Sequence, residues 1–171
     1  MNDSRAIALV GLMGAGKTTV ARLLARRLGG EAIDLDWVLE TEAGCSVAEM
    51  FRRDGEAAFR RREAERLSEL IDDGAAVIAC GGGAVIDPAS RERLKRACRV
   101  VWLEVSPEEA LRRVEKSREM RPLLSDDAGA LAALLQGREA AYRDAAEIRI
   151  DTDGRTPEQV TQAVVDALGA S

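Results

Sequence analysis

A chain of 171 residues with 46% hydrophobic and 32% charged residues has the length and composition of one globular domain with a substantial core. Its formal net charge of −5 and its 3% aromatic content argue against nucleic-acid and membrane-surface partners, which favour a basic face. A small molecule is the remaining class of ligand, and local clusters of arginine are compatible with an anionic one.

Short apolar runs alternate with segments of helical period, which is typical of strand-helix-strand units in a parallel sheet. The predicted strands cover residues 6–10, 32–35, 75–80, 99–105 and 147–150. The predicted helices cover residues 20–28, 37–41, 47–54, 56–71, 88–97, 107–114, 128–142 and 157–168. Residues 117–127 are polar and predict a loop within the same domain, which we interpret as a mobile lid.

Local signals refine three of these segments. Leu23, Leu24 and Leu28 fall on one face of the first helix, and we expect that face to pack on the sheet. Asp87 precedes Pro88 and predicts a helix N-cap there. The apolar run 6–10 is interrupted by glycines before it reaches the length of a signal peptide core or a membrane span, so we expect a cytoplasmic protein.

Cysteine and histidine usage limits the chemistry. Cys45, Cys80 and Cys98 are odd in number and form no C-x-x-C pair, which suits reduced thiols that fill a core. The chain has no histidine, which excludes imidazole bases and mixed Cys/His zinc sites. Carboxylates, cations, backbone amides and a borrowed metal ion must therefore carry any reaction.

Residues 11–18 read Gly-Leu-Met-Gly-Ala-Gly-Lys-Thr and satisfy the phosphate-loop pattern G-x-x-x-x-G-K-[ST] between a predicted strand and a predicted helix. In such a loop, backbone N–H groups turn inward on phosphate oxygens and the helix N-terminus adds its positive end. Lys17 is expected to reach the β- and γ-phosphates, and the hydroxyl of Thr18 to contact Mg²⁺. A glycine-rich turn with a surface lysine is the alternative, and the rarity of lysine in this chain disfavours it.

Further clusters concern the phosphoryl acceptor. A guanine-specific GTPase would carry an N-K-x-D motif, but the only asparagine is Asn2. A kinase instead needs a place for an acceptor hydroxyl and cations that close over the transferring group. The candidate clusters are Asp34-Leu35-Asp36 after the second strand, Phe59-Arg60-Arg61-Arg62-Glu63 on a helix, Gly81-Gly82-Gly83 after the third strand, and Arg121-Pro122-Leu123-Leu124 in the lid-like loop.

Each cluster has a functional and a structural interpretation. In an extended segment Asp34 and Asp36 point to opposite faces and would have different roles, whereas in a strand-end turn both would be solvated. Arg60 and Glu63 are three residues apart on a helix, so Glu63 can orient the guanidinium toward a carboxylate, or the two form an ordinary exposed pair. Three successive glycines allow backbone amides to approach a ligand closely, or form a plain turn.

In this order, behind the phosphate loop, the clusters resemble the shikimate kinase pattern over nearly the whole chain. The resemblance implies an α/β fold, the three-layer P-loop NTPase fold of the nucleoside monophosphate kinase-like type. Its five-stranded parallel sheet has the order 2-3-1-4-5, is flanked by helices and carries a short lid. It further implies one kinase domain over residues 1–171, with substrate-binding helices at about 37–71, a lid at about 115–127, and a monomeric state.

The resemblance also implies roles for individual residues. The catalytic set is Lys17, Asp36 and Arg121, with Arg121 acting as a lid cation; the residue before Pro122 is biased toward an extended backbone, which suits that position. The ATP-binding set is Gly14, Ala15, Gly16, Lys17, Thr18, Thr19, Arg113, Arg121, Arg155 and Pro157. The shikimate-binding set is Asp36, Arg60, Gly81, Gly82, Gly83 and Arg138, and Thr18 and Asp34 serve Mg²⁺.

The sequence leaves the register of one site residue open and departs from the family at another. The nucleotide contact assigned to Arg113 falls on Arg112 if the register shifts by one. Near Arg138 the family often has proline, where this chain has Ala140.

The expected reaction is transfer of the ATP γ-phosphoryl group to the 3-hydroxyl of shikimate in the chorismate and aromatic amino acid pathway. Another small P-loop kinase, acting on a sugar acid or a nucleoside monophosphate, is the nearest alternative. Gluconate kinases, however, usually carry a histidine-containing motif after the second strand. A nucleotide-binding module without turnover is an alternative of a different class.

Overall fold

The computed structural model describes residues 5–116 and 128–169. The strands are β1 (Ala6–Val10), β2 (Ala32–Asp34), β3 (Val77–Ala79), β4 (Cys98–Glu104) and β5 (Ile148–Asp151). The helices are α1 (Lys17–Leu28), α2 (Leu35–Ala43), α3 (Val47–Asp54), α4 (Glu56–Asp72), α5 (Pro88–Ala97), α6 (Pro107–Lys116), α7 (Ala128–Ala145) and α8 (Pro157–Gly169). The predicted lid, including Arg121, lies almost entirely outside the described residues.

The strands form one parallel sheet in the order β2-β3-β1-β4-β5, which confirms the predicted fold class and strand order. β1 lies at the centre, where Leu9 is opposite Ala79 of β3 and Val101 of β4. In parallel sheets the carboxyl ends of neighbouring strands meet at one edge, and ligands bind where the strand order reverses. The phosphate loop follows β1 at that edge, beside the glycine turn that follows β3.

Alternation along the strands sends side chains to two separate cores. On β1, Ile7 and Leu9 face a core shared with α1 and α8, whereas Ala8 and Val10 face a core shared with α4, α5 and α7. The sheet is therefore the middle of three layers. No helix among the described residues is long and apolar enough to span a membrane.

Two local expectations are corrected. The second strand ends at Asp34 and α2 begins at Leu35, so the Asp-Leu-Asp segment is not extended. The reason is an N-cap: a carboxylate oxygen of Asp34 accepts the N–H of Trp37 at 3.1 Å, which starts the helix. Leu28 was expected on the buried face of α1 but is 54% exposed, because it is the last helical residue and lies beyond the buried stretch.

Two other local expectations hold. Asp87 caps α5, with its carboxylate accepting the N–H of Ser90 at 2.7 Å. Cys80 and Cys98 are buried and Cys45 is half-buried, and all of them are free thiols.

Helix α6 carries an ion-pair cluster that fixes the side chain of Arg113. Arg112 donates from Nε and Nη2 to Glu109 at 2.7 and 2.6 Å, and Nε of Arg113 donates to the same carboxylate at 2.7 Å. The hydrogen bonds from Arg112, followed by those from Arg113, hold the pKa of Glu109 down to about 2, although desolvation opposes them. Arg113 is therefore anchored from its own helix.

Leu24→Ala and Leu28→Ala are matched truncations on α1. Leu24 has no exposed surface, so its truncation is expected to lower the free energy of unfolding by about 2 to 5 kcal/mol. Leu28 is 54% exposed, and its truncation should change the free energy of unfolding by less than about 0.5 kcal/mol. Urea unfolding measures both, and equal losses would contradict the burial described here.

Glu109→Gln is expected to lower the free energy of unfolding at neutral pH. It should also make the free energy of unfolding less dependent on pH in the acid range. Because the folded pKa of Glu109 is depressed from 4.5 to about 2, the stabilising contribution of its carboxylate is complete above pH 4.5 and is lost as the pH falls toward 2. Urea unfolding of wild type and variant across this range should give curves that converge in acid. Glu108→Gln, on the same turn and exposed, is the control and should follow wild type; a gap that stays constant with pH would refute the assignment.

Candidate active site

The phosphate loop has glycine at positions of positive φ, and at one of them a side chain would also collide with α6. Gly14 has φ +79°, and a Cβ there would lie 2.7 Å from the carbonyl oxygen of Ala110 on α6. Gly16 has φ +88° and precedes Lys17, the first residue of α1. The first turn of α1 contains no acidic residue, so its unpaired N–H groups and positive dipole end are available to an anion.

Lys17 folds back over this loop. Its Nζ donates to the carbonyl oxygens of Gly11 and Leu12 at 2.9 and 3.1 Å. Burial lowers the pKa of Lys17, and the nearby Asp36 and Asp34 carboxylates oppose that shift. An ammonium group held by two neutral carbonyls can exchange them for phosphate oxygens, which are stronger acceptors.

Ala15 and Thr19 complete the predicted loop contacts. The N–H of Ala15 donates to the carbonyl of Leu12 at 3.2 Å, so this amide is used inside the loop. Thr19 lies exposed on the first turn of α1. The roles predicted for both residues stay predictions.

Thr18 and Asp34 bring two hard oxygen ligands together beside the loop. The hydroxyl of Thr18 donates to Oδ2 of Asp34, while Oδ1 of Asp34 caps α2. Among residues 5–116 and 128–169, no group of three or more His, Cys, Asp or Glu side chains could hold a metal by itself. The pair suits Mg²⁺, which keeps most of its water and phosphate ligands and takes only one or two from protein.

The glycine turn packs directly against the predicted acceptor side chains. A Cβ on Gly81 would lie 2.6 Å from Oε1 of Glu63 and 2.7 Å from Oδ1 of Asp36. A Cβ on Gly83 would collide with the guanidinium of Arg60. The backbone at these positions does not have a positive φ, and a larger residue there would have to displace the side-chain ends of Glu63, Asp36 or Arg60.

Arg60 and Glu63 form a largely buried ion pair that can still bind a ligand. Nη1 of Arg60 donates to Oε2 of Glu63 at 2.6 Å, and Glu63 is only 3% exposed. Burial raises the pKa of Glu63, against the lowering effect of Arg60. Nε of Arg60 and Oε1 of Glu63 are buried and have no hydrogen-bond partner among the described residues. Such atoms can serve a ligand, because an unpaired buried polar atom is costly.

The sequence analysis missed one contributor to this pair. The guanidinium of Arg60 lies over the rings of both Phe51 and Phe59, at 5.5 and 5.3 Å from their centroids. Phe59 was noted beside Arg60, but Phe51 was not. The chain has only two phenylalanines, and this scarcity is the signal that would have pointed to Phe51. The aromatic faces hold the cation from its planar side, while its N–H edge pairs with Glu63 at Nη1 and with the exposed Glu56 at Nη2, 3.5 Å away.

Arg138 reaches the same turn from α7. A Cβ on Gly82 would lie 3.3 Å from Nη1 of Arg138. With Ala140 in place of the proline common in the family, α7 runs unbroken from Ala128 to Ala145. The structure thus brings Asp36, Arg60 and Arg138 together around one glycine turn.

Of the two candidate arginines on α6, Arg113 contacts the phosphate loop, and the nucleotide contact predicted for it stays a prediction. Its Nη1 donates to the carbonyl of Gly14 at 3.3 Å and to the hydroxyl of Thr152 at 3.0 Å, and its Nη2 donates to the carbonyl of Thr152 at 2.5 Å. Arg112 is exposed and pairs with Glu109. Arg155 is exposed and joins the same loop through its backbone N–H, which donates to Thr152 at 3.2 Å.

Pro157 begins α8 directly after this loop. Arg121 lies outside the described residues, so its predicted contact with the transferring group stays a prediction.

Comparison with known proteins agrees with this geometry. The shikimate kinase family model matches residues 13–169. A shikimate kinase from Symbiobacterium thermophilum is 45% identical over 165 residues, covering 95% of each chain. A solved shikimate kinase from Acinetobacter baumannii in complex with shikimate matches with a TM-score of 0.90 and 36% identity, over 97% of this chain and 93% of that one.

A gluconokinase from Sinorhizobium meliloti matches with a TM-score of 0.54 and 16% identity, over 98% of this chain and 93% of that one, which shows the fold alone. The family match and the 45% identical relative go further than fold. The chain belongs to the shikimate kinase family and is an ATP-using phosphotransferase with an alcohol group as acceptor.

Proposed function

We propose that the protein transfers the γ-phosphoryl group of ATP to the 3-hydroxyl of shikimate, giving shikimate 3-phosphate and ADP on the route to chorismate and the aromatic amino acids. The observation that carries the proposal is the meeting of Asp36, Arg60 and Arg138 at a glycine turn beside the phosphate loop. This arrangement suits a cyclic polyol with a carboxylate. In this proposal the protein acts as a monomer on a small molecule, with no nucleic acid or membrane as partner.

Arg60 and Arg138 bind the shikimate carboxylate in this proposal. Two guanidinium groups at one turn supply charge-assisted hydrogen bonds to an anion. Arg60 is oriented for this by Glu63 and by the faces of Phe51 and Phe59. In the same proposal, the backbone amides of Gly81, Gly82 and Gly83 donate to the acceptor.

Asp36 orients or deprotonates the attacking hydroxyl. Its carboxylate lies against Gly81 and interacts electrostatically with Lys17, on the side of the turn that faces the phosphate loop. The bond from the acceptor oxygen to γ-phosphorus forms as the bond to the β-γ bridging oxygen breaks, and the hydroxyl proton passes to the carboxylate or to solvent. Positioning and charge stabilisation supply most of the catalysis in such reactions.

Lys17 and Arg121 stabilise the negative charge of the transferring group. Lys17 exchanges its carbonyl acceptors on Gly11 and Leu12 for β- and γ-phosphate oxygens. Arg121 reaches the γ-phosphate from residues 117–127. The amides of the phosphate loop at Gly14, Gly16, Thr18 and Thr19 bind the remaining phosphate oxygens, and the amide of Ala15 joins them by exchanging its carbonyl acceptor on Leu12 for a phosphate oxygen.

Mg²⁺ is held through the hydroxyl of Thr18, with Asp34 acting directly or through water. When bound, the ion neutralises charge on the β- and γ-phosphates. The N–H edge of Arg113 is occupied by Gly14 and Thr152, which leaves its planar faces to stack on adenine. Arg155 and Pro157 border the same side of the adenine.

An acceptor panel tests the reaction. With ATP and Mg²⁺, ADP release should depend on shikimate and stay at background with gluconate and with nucleoside monophosphates. Omission of Mg²⁺ by chelation should abolish turnover, since phosphoryl transfer requires the ion. Turnover with another acceptor alone would replace the substrate assignment, and ATP binding without any acceptor-dependent turnover would identify a nucleotide-binding module.

Asp36→Asn is expected to lower kcat by about 10²- to 10⁴-fold, because the amide does not accept the hydroxyl proton. Nucleotide affinity, measured by calorimetric titration with ADP, should stay within twofold of wild type. Asp166→Asn is a matched control, since Asp166 is exposed on α8 and accepts a hydrogen bond only from Gln162 at 2.8 Å among the contacts described. Full activity in Asp36→Asn would rule out the role given to Asp36.

A further inference from the structure

Tyr142 is the only tyrosine of the chain and lies in the core beneath the acceptor site. It has no exposed surface, and its ring stacks on Trp102 of β4 with centroids 5.6 Å apart and planes 28° apart. A phenol buried in this way must find hydrogen-bond partners, because an unpaired hydroxyl in a core is costly. The hydrogen bonding of the Tyr142 hydroxyl therefore indicates the role of this residue.

The hydroxyl of Tyr142 joins two segments of the acceptor site. It donates to the carbonyl oxygen of Gly82, the glycine against which Nη1 of Arg138 lies, one helical turn earlier on α7. Burial raises the pKa of Tyr142, so the phenol stays protonated and remains a donor at neutral pH. The hydroxyl thereby connects the glycine turn after β3 with α7, at the point where Arg138 lies against the turn.

The glycine turn depends on this contact for its orientation. The carbonyls of Gly81 and Gly83 are held within the turn by the N–H groups of Ala84 and Ile86, at 3.1 and 3.0 Å. The carbonyl of Gly82 is held instead from outside the turn, by Tyr142. Because a trans peptide directs its C=O and N–H in opposite directions, fixing this carbonyl also fixes the N–H of Gly83.

We propose that Tyr142 is a positioning residue for the acceptor half of the site, with its hydroxyl holding the Gly82 carbonyl and the Arg138 guanidinium in one arrangement. The inference rests on the proposed function, which assigns the acceptor to that turn and to Arg138. Tyr142 itself touches neither substrate nor nucleotide. Its effect is expected on acceptor affinity and not on the chemical step.

Thr152 plays the corresponding part in the nucleotide half and provides a matched control. It is also fully buried, donates from Oγ1 to the carbonyl of Glu104 at 2.8 Å, and accepts from Arg113 at 3.0 Å. Arg113 in turn holds the carbonyl of Gly14 in the phosphate loop. Tyr142→Phe and Thr152→Val each delete one buried hydroxyl with little change in shape.

The two variants should affect different substrates. Tyr142→Phe is expected to raise KM for shikimate about tenfold, the upper size of a lost buried hydrogen bond, with kcat and KM for ATP within twofold. Thr152→Val should raise KM for ATP and leave KM for shikimate unchanged. Thr152→Ser, which keeps the hydroxyl, should have the same KM for ATP as wild type. Equal changes in both KM values for Tyr142→Phe, or no change in either, would overturn the proposal.

A second measurement avoids dependence on the folding of Tyr142→Phe. Because Tyr142 is the only tyrosine, biosynthetic incorporation of 3-fluorotyrosine labels this site alone and keeps both ring and hydroxyl. The single ¹⁹F resonance should shift on addition of shikimate and not on addition of ADP. A resonance that shikimate leaves unchanged would overturn the proposal.

The wild-type acceptor panel separates this inference from the proposed function. If wild type uses another acceptor, the substrate assignment fails, and the same KM comparison is made with that acceptor and decides the role of Tyr142. If wild type uses shikimate and Tyr142→Phe shows no selective rise in KM, only the positioning role fails. Absence of turnover with every acceptor refutes both.

Discussion

A backbone hydrogen bond between the carboxyl ends of β1 and β3 sets the distance between the phosphate loop and the glycine turn, which are the two halves of the site. The N–H of Cys80 donates to the carbonyl of Leu9 at 3.0 Å, one pair beyond the register of Leu9 with Ala79. Immediately after it the chain enters the phosphate loop on one side and the glycine turn on the other. A slip of one residue would turn Gly81 away from the loop and exchange the two faces of β3. The register of β1 with β3 is therefore the constraint on which both halves depend.

The site contains buried ionisable groups of both signs. Burial lowers the pKa of Lys17 and raises the pKa of Glu63, so the same desolvation disfavours the charged form of each. Opposite charges nearby offset part of this effect, as Asp36 does for Lys17 and Arg60 for Glu63. An arriving polyanion adds negative charge to groups already fixed in place, which lowers the reorganisation that transfer requires.

Helices α6 and α7 each contribute one arginine to the site. Helix α6 carries Arg113, which contacts the phosphate loop, and α7 carries Arg138, which contacts the glycine turn. A buried hydroxyl lies next to each arginine: Thr152 accepts from Arg113, and Tyr142 donates to the carbonyl of Gly82, against which Arg138 lies.

The amino-acid sequence by itself determined the fold class, most element bounds and the residue types of the site, because hydrophobic period and glycine-rich turns are local properties of the chain. It misjudged the segment 34–36, where the capping bond of Asp34 overrides an extended backbone. Local pattern also missed Phe51, Tyr142 and Thr152. Only the tertiary structure brought them to Arg60, Arg138 and Arg113, since their partners are set by packing between segments far apart in the chain.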